Sequence, residues 1–359
     1  MACDFLIIGG GIAGISAAAA LAPLGRVVVL EAEAELAYHA SGRSAALYEP
    51  RYGNPAVRAL TAATGPRLRA VDGGVLSPRG LMIVARADEA EEFAADVAAM
   101  GLHPIEAAEA CALVPALDPA AVALAAHHPD AEDIDTDRLI QHLARAARAA
   151  GAEIRTGAPV LALARAGAGW LAETPAGAIG ARTLVNAAGA WADRVAALGG
   201  VRPLGLVPHR RSIARIAAPG GADTRGWPML FGPGERWYAK PDAGALIVSP
   251  ADEDPAEPHD AWPDDLVLAE GLARWQAVAR HPVTRPLATW AGLRTFAPDR
   301  ALVIGPDPAA AGFFWLAGQG GYGFQTSLGA AALLADLVAG RAPDLDPALV
   351  AALSPGRFG

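Results

Sequence analysis

Residues 5–20 read "FLIIGGGIAGISAAAA". Apolar residues lead into three consecutive glycines, and a run of small residues follows. Residues 5–25 carry no charge, and by length alone such a run suits a membrane-spanning helix. Gly9, Gly10 and Gly11 break it in the middle, and Asp4 precedes it where a leader would carry basic residues. A buried strand, a tight turn and a buried helix account for it better. Gly9-x-Gly11-x-x-Gly14 then has a physical reading. Gly9 permits the turn, Gly11 lets a pyrophosphate approach the backbone, and Gly14 lets helix pack on strand. The helix N-terminus adds unpaired N–H groups and a partial positive charge. A second strand, about 26–31, ends on Glu31, the place where such a unit offers an acid to a ribose diol. This combination implies a bound dinucleotide. The acid favours an unphosphorylated ribose, which disfavours NADP. NAD and FAD both satisfy the unit.

A second stretch, "FFWLAGQGGYGFQTSLG" at 313–329, repeats the order of strand, glycines and helix. An ordinary turn before a helix does not require Gly318, Gly320, Gly321 and Gly323 together. A nicotinamide enzyme needs one phosphate turn. A flavin enzyme must also seat the isoalloxazine ring, and a second helix N-terminus, here from about Gln325, suits its electron-poor edge. The second cluster therefore favours FAD.

The totals narrow the class further. The chain has 359 residues, 53% of them hydrophobic and 19% charged, with mean hydropathy +0.27. That length implies two domains or one large α/β unit, and the composition disfavours disorder. A net charge of -9 argues against nucleic acid, which asks for a basic stripe, and weakly against anionic membranes. Cys3 and Cys111 are the only cysteines. They form no disulfide framework or thiolate metal site, as expected of a reducing cytoplasm. His127 and His128 are adjacent on a predicted strand and diverge, so no metal site is expected there.

Along the chain, strand, helix and strand at the start are followed by a loop over 39–53. A helix over 54–71, a strand at 79–86 and a helix over 88–100 come next. "TDRLIQHLARAARAAGAEIRTG" (136–157) predicts a helix capped by Thr136, a glycine stop and a strand. "ARTLVNAAGAWADRVAAL" (181–198) predicts a strand, a turn and a helix. Residues 201–300 differ, with strands separated by Pro/Gly turns as in an antiparallel sheet. The acidic stretch 251–265 reads as a solvated loop. Strands at 301–304 and 313–317 and a helix to about 340 close the chain. The α/β pieces surround the β piece, so the fold class is α/β (α+β), with interleaved domains.

With these motifs in place, the chain resembles the D-amino-acid oxidase/dehydrogenase branch of the FAD-dependent glycine oxidase and sarcosine oxidase superfamily. The likeness runs through the first glycine turn, "HASGRSAA", "DIDTD", "LVNAAGAW", "GVRPLGL", "RRS", "WPML", "KPDAG", "TWAGLR" and "GFFW" with "QGGYG" and "QTS". It implies an FAD-binding Rossmann-like domain (1–78, 134–200, 300–359) interleaved with a substrate domain (79–133, 201–299). It also implies noncovalent FAD and oxidation of an amino acid to an imino acid, which then hydrolyses. The resemblance implies cofactor contacts from Gly9, Gly11, Ile12, Ala13, Gly14, Glu31 and Ala32 at the first turn. From the segment that His39 opens it implies Arg43, Ser44, Ala45 and Ala46. Val160, Ala188, Gly189 and Trp191 follow mid-chain, and Arg294, Gly320, Gly321, Tyr322, Gly323, Gln325 and Thr326 near the end.

Hydride transfer from Cα to flavin N5 needs a substrate held by its carboxylate, and a fork of N–H donors suits that task. Arg294 lies in the apolar strand "LATWAGLRTF" and would need an anion if buried. Arg210 and Arg211 point to opposite faces of a strand, and alternation alone does not choose between them; the resemblance selects Arg211. It also assigns substrate contacts to the hydroxyls of Tyr52 and Tyr238, and to the Gly321 carbonyl for the amine. Arginine-preferring members of the branch carry an acid and a polar residue where this chain has Leu81 and Leu47. With Met229 and Phe231 these predict an apolar side-chain pocket, against which stands Glu49 in the same loop. Preferred substrates are then hydrophobic D-amino acids. Sarcosine, glycine, proline or another secondary-amine amino acid is the alternative, since the same carboxylate clamp serves both. The expected electron acceptor is a quinone, another electron-transfer carrier or O2, and the expected setting is the cytoplasm, free or peripheral to the inner membrane.

Overall fold

The computed structural model describes residues 3–359. Two eight-stranded sheets, drawn alternately from the chain, organise it. The first has Cys3–Ile8 at its centre, parallel on one side to Val27–Leu30 and on the other to the end of Gly177–Asn186. Phe313–Ala317 adds in parallel to the C-terminal end of that last strand. All four residues of Val27–Leu30 are buried, as a strand covered on both faces requires. The helices Ile12–Leu21, Gly323–Val338 and Thr136–Ala149 supply the cover on one side, packing on one another through small residues. The two glycine stretches thus end side by side, because their strands sit in one sheet and their helices touch.

The second sheet runs, edge to edge, through Ala288–Phe296, Val207–Ala217, Ala245–Ser249, Tyr238–Asp242, Met229–Phe231, Leu81–Ala85, Leu124–His128 and His103–Ile105. It is antiparallel except where Met229–Phe231 runs parallel to Leu81–Ile83. Its register matters for chemistry. Arg211 pairs with Gly292 and His209 with Arg294. Arg211 and Arg294 are therefore diagonal neighbours on one face, and Arg210 points away to Asp252 and Asp254.

Three local expectations are corrected. Asp135, not Thr136, caps the helix Thr136–Ala149, its side chain accepting the Arg138 N–H at 2.9 Å. The last glycine-preceded helix begins at Gly323, a half-turn before Gln325. The acidic stretch is irregular as expected, but it is not simply solvated. Asp252 is buried and accepts the Ser212 N–H and hydroxyl at 2.6 and 2.8 Å, and Asp260 and Glu253 pair with arginines at the site.

Candidate active site

A groove begins at the first glycine turn. Gly9 has φ +111°, and a Cβ on it would stand 2.4 Å from the Ala187 carbonyl oxygen. On Gly14 a Cβ would stand 1.8 Å from the Gly9 carbonyl oxygen, so that glycine is a packing requirement and faces no ligand. Gly11 opens onto the groove, and only Ser41 Oγ, at 3.1 Å, would meet a Cβ there. Glu31 lies on the groove wall beside Ala32, Val160, Ala188, Gly189 and Trp191. Its carboxylate is held by the N–H groups of Gly10 at 2.5 Å and Glu33 at 2.9 Å. Held so, the acid presents a fixed acceptor to a diol. Ser41 was not among the expected contacts. Its Oγ accepts the Ile12 N–H at 3.0 Å, at the open N-terminus of the first helix. A hydroxyl two residues after His39 in an aperiodic loop carries no sequence signal that places it there.

The groove continues past Gly11, Ile12 and Ala13 to Ser44, Ala45, Arg294, Gly320, Gly321 and Gly323. Gly320 has φ +52°, and a Cβ there would press into the Phe296 ring at 2.3 Å. A Cβ on Gly321 would lie 3.0 Å from the Arg294 guanidinium carbon. Side chains are thus excluded where a flat ring system must lie against backbone, and two turns line one continuous cradle.

Beyond the cradle is a small chamber lined by Leu47, Glu49, Tyr52, Leu81, Met229, Phe231 and Gln325, with Arg211, Tyr238, Arg294 and Gly321 shared with the cradle. Arg294 makes no ion pair among the described residues. Burial works against its charge, but Tyr238, Tyr52, Glu235 and Glu253 outweigh that and hold its pKa above the ordinary value. Arg211 is buried, donating from Nε to the Asp252 carbonyl at 2.9 Å and from Nη2 to Glu253 at 3.1 Å. Burial, and then the Arg294 charge, pull its pKa down. Two guanidiniums on one face, one of them unpaired, make a fork for a small carboxylate. Tyr238 closes one side by packing on Phe231 at 5.9 Å. Tyr52 closes the other, its hydroxyl donating to Glu235 at 2.6 Å. Burial first, and the Glu235 charge next, hold that phenol well above its usual pKa, so it stays a donor.

Some residues singled out in the sequence lie elsewhere. Arg43 borders the groove, but its guanidinium is taken by Asp260 at 2.5 Å and the Ala261 and Ala291 carbonyls at 2.9 and 2.8 Å. It ties the loop to the second sheet and has no free face for a phosphate. His39 bonds Glu33 at 2.9 Å and packs on Trp191 at 4.6 Å. Thr326 turns into its own helix, its hydroxyl donating to the Tyr322 carbonyl at 2.8 Å. Tyr322 faces the outer mouth, against Tyr52 at 5.4 Å. Ala46 and Gln325 line the chamber and not the flavin cradle. Lys240 is buried under the loop, its ammonium bonded to the Ala45 carbonyl at 2.5 Å, the Ala46 carbonyl at 3.0 Å and Asp133 at 2.8 Å. The pairing of Glu49 with His128 carries no local signal, because residues 79 positions apart meet only in the fold.

A fold of two interleaved sheets, with a nucleotide groove opening onto an arginine-forked chamber, is the frame of a flavin-dependent oxidoreductase. The chain belongs to the DAO family of FAD dependent oxidoreductases, whose model matches residues 4–337. Human mitochondrial dimethylglycine dehydrogenase is 26% identical over 388 residues, covering 99% of this chain and 44% of that protein. The chain thus spans less than half the length of that relative. D-amino acid dehydrogenase 2 of Ralstonia nicotianae is 47% identical over 57 residues, 16% of this chain and 13% of that protein. Among solved structures, glycine oxidase from Geobacillus kaustophilus superposes with TM-score 0.83 at 24% identity, covering 97% of each chain. L-proline dehydrogenase from P.horikoshii does so with TM-score 0.84 at 22% identity, covering 99% of this chain and 97% of that one. The cofactor is FAD, and the glycine cradle and the oriented Glu31 fit it. No helix among the described residues is long and apolar enough to cross a membrane.

Proposed function

We propose that this protein oxidises D-amino acids with apolar side chains to imino acids, which hydrolyse to 2-oxo acids. The half-buried Arg294, with no anionic partner and the buried Arg211 beside it on the same sheet face, carries this reading. Noncovalent FAD, held along the glycine cradle and by Glu31, would supply the electron sink for a hydride from Cα. The chain's part is to hold the substrate. Arg211 and Arg294 grip the carboxylate, with the Tyr238 hydroxyl supporting it and the Tyr52 hydroxyl able to do so on turning from Glu235. The Gly321 carbonyl accepts an amine hydrogen and so turns Cα toward the cradle. Leu47, Leu81, Met229 and Phe231 receive the side chain. Burial of Leu81, Met229 and Phe231, with Leu47 partly buried beside them, favours an aliphatic or aromatic group over a guanidinium. The partial match to a D-amino acid dehydrogenase supports the D configuration. Residues 1–78, 134–200 and 300–359 form the FAD-binding part and 79–133 and 201–299 the substrate part in this reading. The electrons leave to a quinone-linked or other carrier, or to O2.

Anaerobic addition of single amino acids to the yellow protein tests this. Bleaching by D-Leu, D-Met or D-Phe is the expected result. Preference for D-Arg would overturn the apolar pocket. Bleaching only by sarcosine or proline would favour the secondary-amine reading; bleaching only by dimethylglycine, the substrate named for one relative, would point to a tertiary amine.

A further inference from the structure

The chamber holds one acid, and the carboxylate fork does not use it. Glu49 is 1% exposed. Its Oε1 accepts the Arg51 N–H at 2.9 Å. Its Oε2 has no hydrogen-bond partner and lies 3.4 Å from Nε2 of His128, itself buried with Nδ1 unpartnered. Gln325 fixes the acid from the other side, since its Oε1 accepts the Glu49 N–H at 3.2 Å. A backbone donor requires the oxygen of the carboxamide, so Gln325 Nε2 is left unpartnered in the wall. Glu49 Oε2 and Gln325 Nε2, both buried and without partners, belong to residues that line the chamber, and His128, with its own unpartnered Nδ1, adjoins Glu49 just outside that lining. Each is costly unless a ligand answers it.

The reaction has a matching need. A free amino acid enters as a zwitterion, and C=N forms only when the nitrogen has a lone pair. We propose that Glu49 Oε2, backed by His128, accepts a proton from the substrate ammonium in the chamber. An N–H bond breaks, an O–H bond forms on Oε2, and the electron pair left on nitrogen builds C=N as hydride leaves Cα. The only oxidant needed is the family's own cofactor. The inference rests on the amino-acid reading above.

The surroundings suit the role. Burial dominates at Glu49 and raises its pKa, against the Arg51 N–H bond and the charges of Arg51 and Arg58, with Asp130 acting in the same sense as burial. An acceptor working near neutral pH needs a carboxyl so raised. His128 is pushed the other way, by burial first, then Arg51, with Asp130 opposing and His103 assisting. Its imidazole is therefore neutral beside Glu49. Across the chamber stand Arg211, already paired with Glu253, and Arg294, which the substrate carboxylate would answer.

The test uses the FAD-loaded protein and anaerobic rapid mixing with D-Leu over a range of pH. Wild type is expected to lose flavin-bleaching rate as pH falls through one ionisation. Glu49→Gln should bleach about 100-fold more slowly near neutral pH, as loss of a general base does, and recover at high pH where the free amine exists in solution. Glu49→Asp, which keeps the charge, should keep the acid limb at a reduced rate. His128→Asn should shift the limb without comparable loss. In weakly buffered solution with an indicator dye, substrate binding to Glu49→Gln should release about one more proton than binding to wild type. An unchanged pH profile in Glu49→Gln, whatever its KM, overturns the proton acceptor and leaves the amino-acid reading standing. A wild type bleached by no amino acid overturns both.

Discussion

At the scale of the residue, the site turns on charges placed where water cannot reach them. Arg294→Ala removes the unpaired member of the fork. It should lower kcat/KM about 100-fold, the worth of charge-assisted bonds to a buried carboxylate. Arg294→Lys should restore only part, because an ammonium lacks the planar fork. Steady-state kinetics against D-Leu, with substrate affinity from flavin spectral shifts, checks both. Glu49 also bears on stability. Its folded pKa lies above the unfolded value, so its favourable contribution is complete below the unfolded pKa and fades as pH rises through the folded one. Glu49→Gln should therefore be more stable than wild type at neutral and alkaline pH, by about 1–3 kcal/mol, with the difference vanishing in acid. Thermal melts across pH decide it. Equal differences at all pH values would contradict the buried ionisation.

At the scale of the element, backbone proximity and pinned loops build the cofactor cradle. Gly14→Ala puts a methyl 1.8 Å from a carbonyl oxygen in the closest helix–strand contact. It should cost about 1–3 kcal/mol or more, read as a lower unfolding midpoint and weaker flavin retention. The loop 39–46 is held at two points, Arg43 to Asp260 and Lys240 beneath Ala45 and Ala46. Lys240 is buried with Asp133, which also pairs with Arg79 at 2.6 Å. Lys240→Met keeps the stem and removes the donor, leaving two loop carbonyls unanswered. FAD dissociation should quicken about tenfold, by the worth of a hydrogen bond from a charged group, as followed by flavin fluorescence on dilution. An unchanged off-rate would show that the loop needs no such tether.

At the scale of the whole molecule, the groove that would hold FAD lies where sheet one, sheet two and two helices converge, so cofactor and fold are linked. At free FAD of about 100 times Kd, binding should add about 2.7 kcal/mol to stability. The melting midpoint should rise with FAD concentration and fall on stripping the flavin. A midpoint indifferent to FAD would mean that the groove does not bind it in the native state.

Much of this was legible in the chain. The glycine spacing, the acid at Glu31 and the uncharged strand depend on local geometry: a turn needs φ > 0, and a buried parallel strand needs apolar residues on both faces. The strand-rich middle showed in its alternation and Pro/Gly turns. Sequence likeness also picked out the chamber residues, from Leu47 to Phe231. Partnership between distant side chains was not legible. Arg43 went to Asp260 and carbonyls 217 to 248 residues away, and Ser41 went to a helix end. Arg211 and Arg294 share a face because one register pairs Arg211 with Gly292. The Glu49–His128 pair exists because the chain returns 79 positions later. Local propensity and spacing determined the elements and the cofactor turn by themselves; only the tertiary structure decided which buried charges are answered by protein and which are left for a ligand, because that depends on contacts between segments that no local pattern encodes.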